Sequence, residues 1–163
     1  VTQPATKALS IRPARPQKSA ELAASAGLSE ARIEALVHRF YAKVRDDAAL
    51  GPIFAERIAD WPPHLSKMVD FWSSVALMSG RYHGSPVTRH AGLPVEWAHF
   101  RRWLDLFAET ARQTCPPEGA AHLIERAERI ARSLFLAIER AGSEPAGTEP
   151  LAPPAAANER TRR

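Results

Sequence analysis

Two of the six histidines in this 163-residue chain stand where an imidazole could meet a metal. His64 follows the Pro62-Pro63 pair and sits one turn before Met68, on the apolar side of a helical pattern. His90 closes the short run Pro86-Val87-Thr88-Arg89-His90. Two histidines from separate segments facing one apolar space can flank a flat cofactor, and imidazole is a good ligand for haem iron. Spacing alone leaves a second reading open, in which each is a buried histidine satisfied by ordinary hydrogen bonds. The other four read as surface or supporting residues. His38 is on the polar side of a helix and His83 is in a turn; His99 lies one step off an apolar face and His122 near the start of the last helix.

Tyr41 and Trp103 sharpen the choice. Both fall on inward faces of helical patterns, where a buried hydroxyl or indole N–H needs an acceptor. A core built only for packing rarely gathers a tyrosine, a tryptophan and a histidine on converging faces. A pocket that donates hydrogen bonds to a small polar ligand does. The alternative is that each polar tip meets a backbone carbonyl.

These side chains need helices to hold them. Ile33, Leu36, Val37, Phe40, Tyr41 and Val44 recur at steps of three and four over residues 29–46, with Ser29 as N-cap. Gly51-Pro52 breaks that pattern, and Ile53-Phe54 follows as an apolar plug. Pro62-Pro63 opens a second helix carrying Leu65, Met68, Phe71, Trp72, Val75 and Ala76 and ending before Gly80. Pro86 opens a short third helix that reaches His90, stopped by Gly92 and Pro94. Phe100, Trp103, Leu104 and Phe107 line a fourth. Pro116-Pro117 starts a fifth, with Ile124, Ala127, Ile130, Ala131, Leu134 and Ile138 inward and Gly142 as its stop. No alternating strand pattern competes. The expected class is all-α with about five helices.

Composition bounds the rest. The 45% apolar content is ordinary for one globular domain. No apolar run is long enough to span a membrane, and the N-terminal residues lack the pattern of a secretory signal. Cys115 stands alone, so no internal disulfide and no thiolate zinc site is expected. These features point to a soluble, cytoplasmic protein. The net charge of +4 is not on the domain. Residues 1–20 carry Lys7, Arg12, Arg15 and Lys18 with no acid, whereas acids and bases balance over residues 21–142. A neutral domain argues against a nucleic-acid partner. The expected organisation is a basic extension over 1–26 without fixed structure, a folded domain over 27–142, and a Pro/Ala-rich unstructured tail over 143–163.

Over roughly residues 29–140 the sequence resembles the truncated haemoglobins, specifically group III. The likeness is carried by Phe40-Tyr41-Ala42-Lys43-Val44-Arg45, by Leu50-Gly51-Pro52-Ile53-Phe54, and by His64 through Phe71-Trp72. Gly80-Arg81-Tyr82-His83-Gly84, Pro86 to His90, and Phe100-Arg101-Arg102-Trp103-Leu104-Asp105-Leu106-Phe107 extend it. The resemblance implies a shortened globin fold, a helical sandwich around haem b. It implies that His90 is the proximal iron ligand, and that Tyr41, His64 and Trp103 face a bound gas. It also implies that Phe54 wedges against the porphyrin, that Met68 sits over the distal face, and that Trp72 is a packing residue. Lys67 and Arg89 flank the two key histidines and are candidate partners of the haem propionates, with solvated surface charge as the alternative. The paired-glycine motifs of other truncated haemoglobins are missing, which fits group III.

The resemblance therefore implies reversible binding of oxygen, nitric oxide or carbon monoxide. One rival is a haem redox enzyme, a nitric oxide dioxygenase or a peroxidase-like protein served by an external reductase; production of nitrate under a reducing system would separate it. The other is a cofactor-free helical interaction module, which a Soret band would exclude.

Overall fold

The computed structural model describes residues 16–143. Seven helices occur among them, and no strand: α1 (Pro16–Ser25), α2 (Glu30–Asp46), α3 (Gly51–Arg57), α4 (Trp61–Leu77), α5 (Pro86–His90), α6 (Trp97–Thr114) and α7 (Pro117–Ser143). The five helices expected from periodicity are α2, α4, α5, α6 and α7. Two more appear. Helix α3 is the stretch read as an apolar plug, and α1 lies inside the stretch 1–26 expected to lack structure. The remaining tail expectations, for 1–15 and 144–163, lie outside the described residues. That α1 folds has a local reason. Pro16 opens an alanine-rich segment of high helix propensity, and Ala23, fully buried, packs it on the core.

Helix α2 is the centre of the arrangement. It lies against α4 and α6, α6 runs along α7, and α5 rests on α7. Its N-cap Ser29 accepts from the Arg32 N–H at 3.3 Å, and the six apolar residues of its expected face are all buried. Phe40, Trp72 and Phe107, from α2, α4 and α6, are the largest fully buried side chains. Trp72 and Phe107 stack with ring centroids 4.5 Å apart, and Phe40 meets Phe107 edge-on at 5.3 Å. Each such side chain contributes on the order of 1.5–3 kcal/mol by leaving water.

The corners set how the helices meet. Asp47 Oδ1 accepts from the Ala49 and Leu50 N–H groups, both at 3.0 Å, while Oδ2 takes the Arg102 Nε–H at 2.7 Å. These bonds, the Leu50 N–H first, hold the Asp47 carboxyl below the usual carboxylate range. They also fasten α6 to the α2–α3 turn. Gly51 permits that turn, because a Cβ there would stand 2.7 Å from the Arg45 carbonyl oxygen. Past α4, Ser74 Oγ donates to the Asp70 carbonyl at 2.8 Å and accepts the Tyr82 N–H at 2.9 Å, which anchors the chain that leads to α5.

Candidate functional site

A cavity of about 430 Å³ opens between α3–α4 on one side and α5–α6–α7 on the other. All eight residues singled out from the sequence line it: Tyr41, Phe54, His64, Lys67, Met68, Arg89, His90 and Trp103. They come from α2, α3, α4, α5 and α6, so only the packed bundle brings them together. Trp72, expected as packing, is buried and also reaches the cavity wall.

His90 ends α5, a helix of five residues capped at Ser85, whose Oγ accepts the Thr88 N–H. Its Nδ1 lies 2.6 Å from the Pro86 carbonyl oxygen. A carbonyl can only accept, so Nδ1 carries the proton and the Nε2 lone pair is free for a metal. The same bond raises the basicity of the ring as a ligand.

His64, on the first turns of α4, belongs to the opposite wall. Its Nε2 is buried with no hydrogen-bond partner. Its ring meets Tyr41 edge-on at 5.4 Å and Trp61 edge-on at 5.7 Å. The Arg45 guanidinium lies 4.7 Å over the Trp61 ring and closes this aromatic wall from outside. Burial first, then the charges of Lys67 and His90, hold the His64 imidazole below its ordinary range. At neutral pH it is therefore uncharged and can turn without carrying a charge through the wall.

Tyr41 is only 4% exposed, and burial pushes its phenol upward, so the hydroxyl remains a proton donor. Phe54 flanks it edge-on at 6.0 Å. Trp103 stacks on Phe107 at 5.4 Å and meets Phe40 edge-on at 5.2 Å. A hydroxyl, an indole and an imidazole thus border one apolar space from three helices.

The remaining histidines divide as follows. His38 and His83 are exposed. His122 is half-buried beside Arg126, at 3.0 Å from its guanidinium. His99, set aside in the sequence as surface or supporting, reaches the cavity. So does Arg57, at the end of α3, which no sequence argument singled out. Arg57 was hidden because α3 buries none of its seven residues fully and leaves no periodic signal.

Comparison with known proteins identifies the family and the fold. The family model of the bacterial-like globins matches residues 25–140. A group 3 truncated haemoglobin of Campylobacter jejuni is 35% identical over 109 residues, covering 64% of this chain and 86% of that protein. The chain belongs to the group III truncated haemoglobins. The crystal structure of a group III truncated haemoglobin from Campylobacter jejuni superposes on this globin with a TM-score of 0.65 at 33% identity, covering 68% of this chain and 91% of that one. The all-α shortened globin fold expected from the sequence is thus the observed one, and globin-type binding of small gases is its family function. No helix among the described residues of this globin is long and apolar enough to cross a membrane.

Proposed function

We propose that this globin holds haem b through His90 Nε2 and reversibly binds oxygen, nitric oxide or carbon monoxide on the side lined by Tyr41, His64 and Trp103. The observation that carries the reading is the pairing of the two walls. On one, His90 is held by Pro86 in the tautomer that can ligate a metal. On the other, a buried His64 nitrogen has no protein partner.

The cavity fits such a group in three respects. Its volume lies within the usual range of small-ligand sites, roughly 300–1,000 Å³. Its walls are largely apolar and aromatic, while Arg57, Lys67 and Arg89 supply cations from three helices, as a macrocycle with two carboxylates requires. Among the described residues no three metal-binding side chains cluster, and His64 on one wall and His90 on the other would suit a metal whose remaining ligands come from a macrocycle.

The iron would supply the coordination position for the gas. The chain supplies the rest. Phe54, Met68 and Trp103 keep water from the pocket, Tyr41 and Trp103 offer hydrogen-bond donors, and His64 closes the wall between Tyr41 and Trp61. Donors fixed beforehand in a water-poor space stabilise negative charge on a ligand more strongly than water does.

The test is reconstitution with haem, followed by spectra of the ferric, ferrous and carbon-monoxide forms. About one haem per chain is expected, and His90→Ala is expected to lose it. A His90→Ala protein with unchanged ferrous spectra would overturn the assignment of the ligand. Failure of the parent chain to develop a Soret band would overturn the whole reading.

A further inference from the structure

His99 occupies the first turn of α6, and its ring is held in one orientation. The Glu96 backbone N–H donates to His99 Nδ1 at 3.0 Å. A backbone amide cannot accept, so Nδ1 carries no proton and the neutral ring carries its hydrogen on Nε2. The residue lines the same cavity as His90. Its Nε2–H has no hydrogen bond within the described residues, and its ring is half-buried.

Three cations border this cavity from other helices: Arg57 ending α3, Lys67 on α4 and Arg89 on α5. None of the three is paired with a carboxylate among the described residues, whereas Lys43, Arg81, Arg102 and Arg129 all are. The rim is thus a set of unpaired donors around an apolar slot. His99 adds to it a neutral, directional donor from α6, a helix that brings no cation to the cavity.

We propose that His99 is a cofactor-binding residue, its Nε2–H donating to a carboxylate of the macrocycle while its Nδ1 is held by Glu96. This rests on the reading that the cavity takes haem. Arg57, Lys67 and Arg89 neutralise the carboxylate charge, and His99 fixes the direction of one of them. The residue has two tasks, since the bond that caps α6 is also the bond that selects the donating tautomer.

The two tasks separate when the cofactor is changed. Haem and its dimethyl ester have the same ring and iron, but the ester has no carboxylate. Loss of each from the ferric holoprotein to excess apomyoglobin is followed by absorbance, for the parent chain, His99→Ala and His99→Phe; the second variant keeps the bulk of the ring. A hydrogen bond to a charged acceptor corresponds to roughly tenfold or more in a dissociation rate. Both variants are expected to lose haem at least about tenfold faster than the parent, and to lose the dimethyl ester at the parent's rate within about twofold. Thermal melting of the apoproteins reads the capping task, which the cofactor cannot influence. Equal acceleration for haem and ester would show that His99 acts only through the helix cap and would overturn the proposal. So would unaltered haem loss in both variants. A parent chain that takes up neither cofactor would instead overturn the haem reading itself, and this proposal with it.

Discussion

Removing a single oxygen atom, by Tyr41→Phe, tests the proposed gas-binding side of the pocket. The ring itself is needed for packing: it meets Phe40 at 4.9 Å, His64 at 5.4 Å and Phe54 at 6.0 Å, all edge-on. The substitution keeps those contacts. The hydroxyl makes no hydrogen bond within the described residues, so its removal leaves no protein group unpaired and should shift folding stability by less than about 1 kcal/mol. What it removes is a donor that burial keeps protonated. Retained oxygen carries partial negative charge, and a hydrogen bond to a charged acceptor contributes about 1.5–3 kcal/mol. That range corresponds to roughly tenfold to 150-fold in a rate. Oxygen release measured by stopped flow is therefore expected to accelerate by about that factor. Carbon monoxide, less polar when bound, is expected to change by only a few-fold. Trp103→Phe should act in the same direction, and the double variant should fall short of the sum if the two donors serve one ligand. Equal acceleration for the two gases would refute the argument, because it would mean that Tyr41 acts through packing rather than through its hydroxyl.

Other expectations follow from neighbouring features. His64→Ala opens the wall between Tyr41 and Trp61, so carbon-monoxide association measured by flash photolysis should speed up; an unchanged association rate with a large loss of oxygen affinity would point to a direct bond instead. Gly119→Ala would put a Cβ 2.8 Å from the Ala26 carbonyl oxygen and 2.7 Å from Leu28 Cδ2. It should destabilise the chain by about 1–3 kcal/mol in urea despite the better helix propensity of alanine, and a stabilised variant would show that the α1–α2 corner does not press on α7. Burial first, then Arg126, holds His122 below its ordinary range, with Glu125 and the Ala76 carbonyl opposing. The folded chain then binds this proton less readily than the unfolded chain. Its contribution to stability is full above about pH 6.5 and is lost as pH falls through the lower folded value. Melting of the apoprotein from pH 7.5 downward should show that loss, and His122→Phe should flatten it; an identical slope in the variant would remove His122 from the account.

What could be read along the chain was what is encoded at short range. The apolar residues of α2, α4, α6 and α7 recur at helical steps because each helix buries one stripe. The prolines at 62, 86 and 117 mark first turns, where a missing amide hydrogen costs little. Helix α1 escaped because its composition is alanine-rich and polar, and the burial of Ala23 depends on a surface supplied by α4. Helix α3 escaped because it is short and only half-covered, and with it went Arg57. His99 was placed beside an apolar face correctly, yet a one-dimensional pattern does not say that the start of α6 faces a cavity rather than solvent.

The sequence by itself determined the all-α class, the family likeness, and the identity of the eight residues set aside for a cofactor and a small ligand. Side-chain chemistry and local spacing are properties of the chain, and they survive without coordinates. Tertiary structure alone decided that these eight converge on one space, because residues from five helices meet only when the helices pack. It also decided the protonation of two imidazoles that line the cavity. The Pro86 carbonyl places the proton of His90 on Nδ1, and the Glu96 amide places that of His99 on Nε2. A histidine's tautomer is set by the partner its ring meets in space, and the letter in the sequence is the same for both.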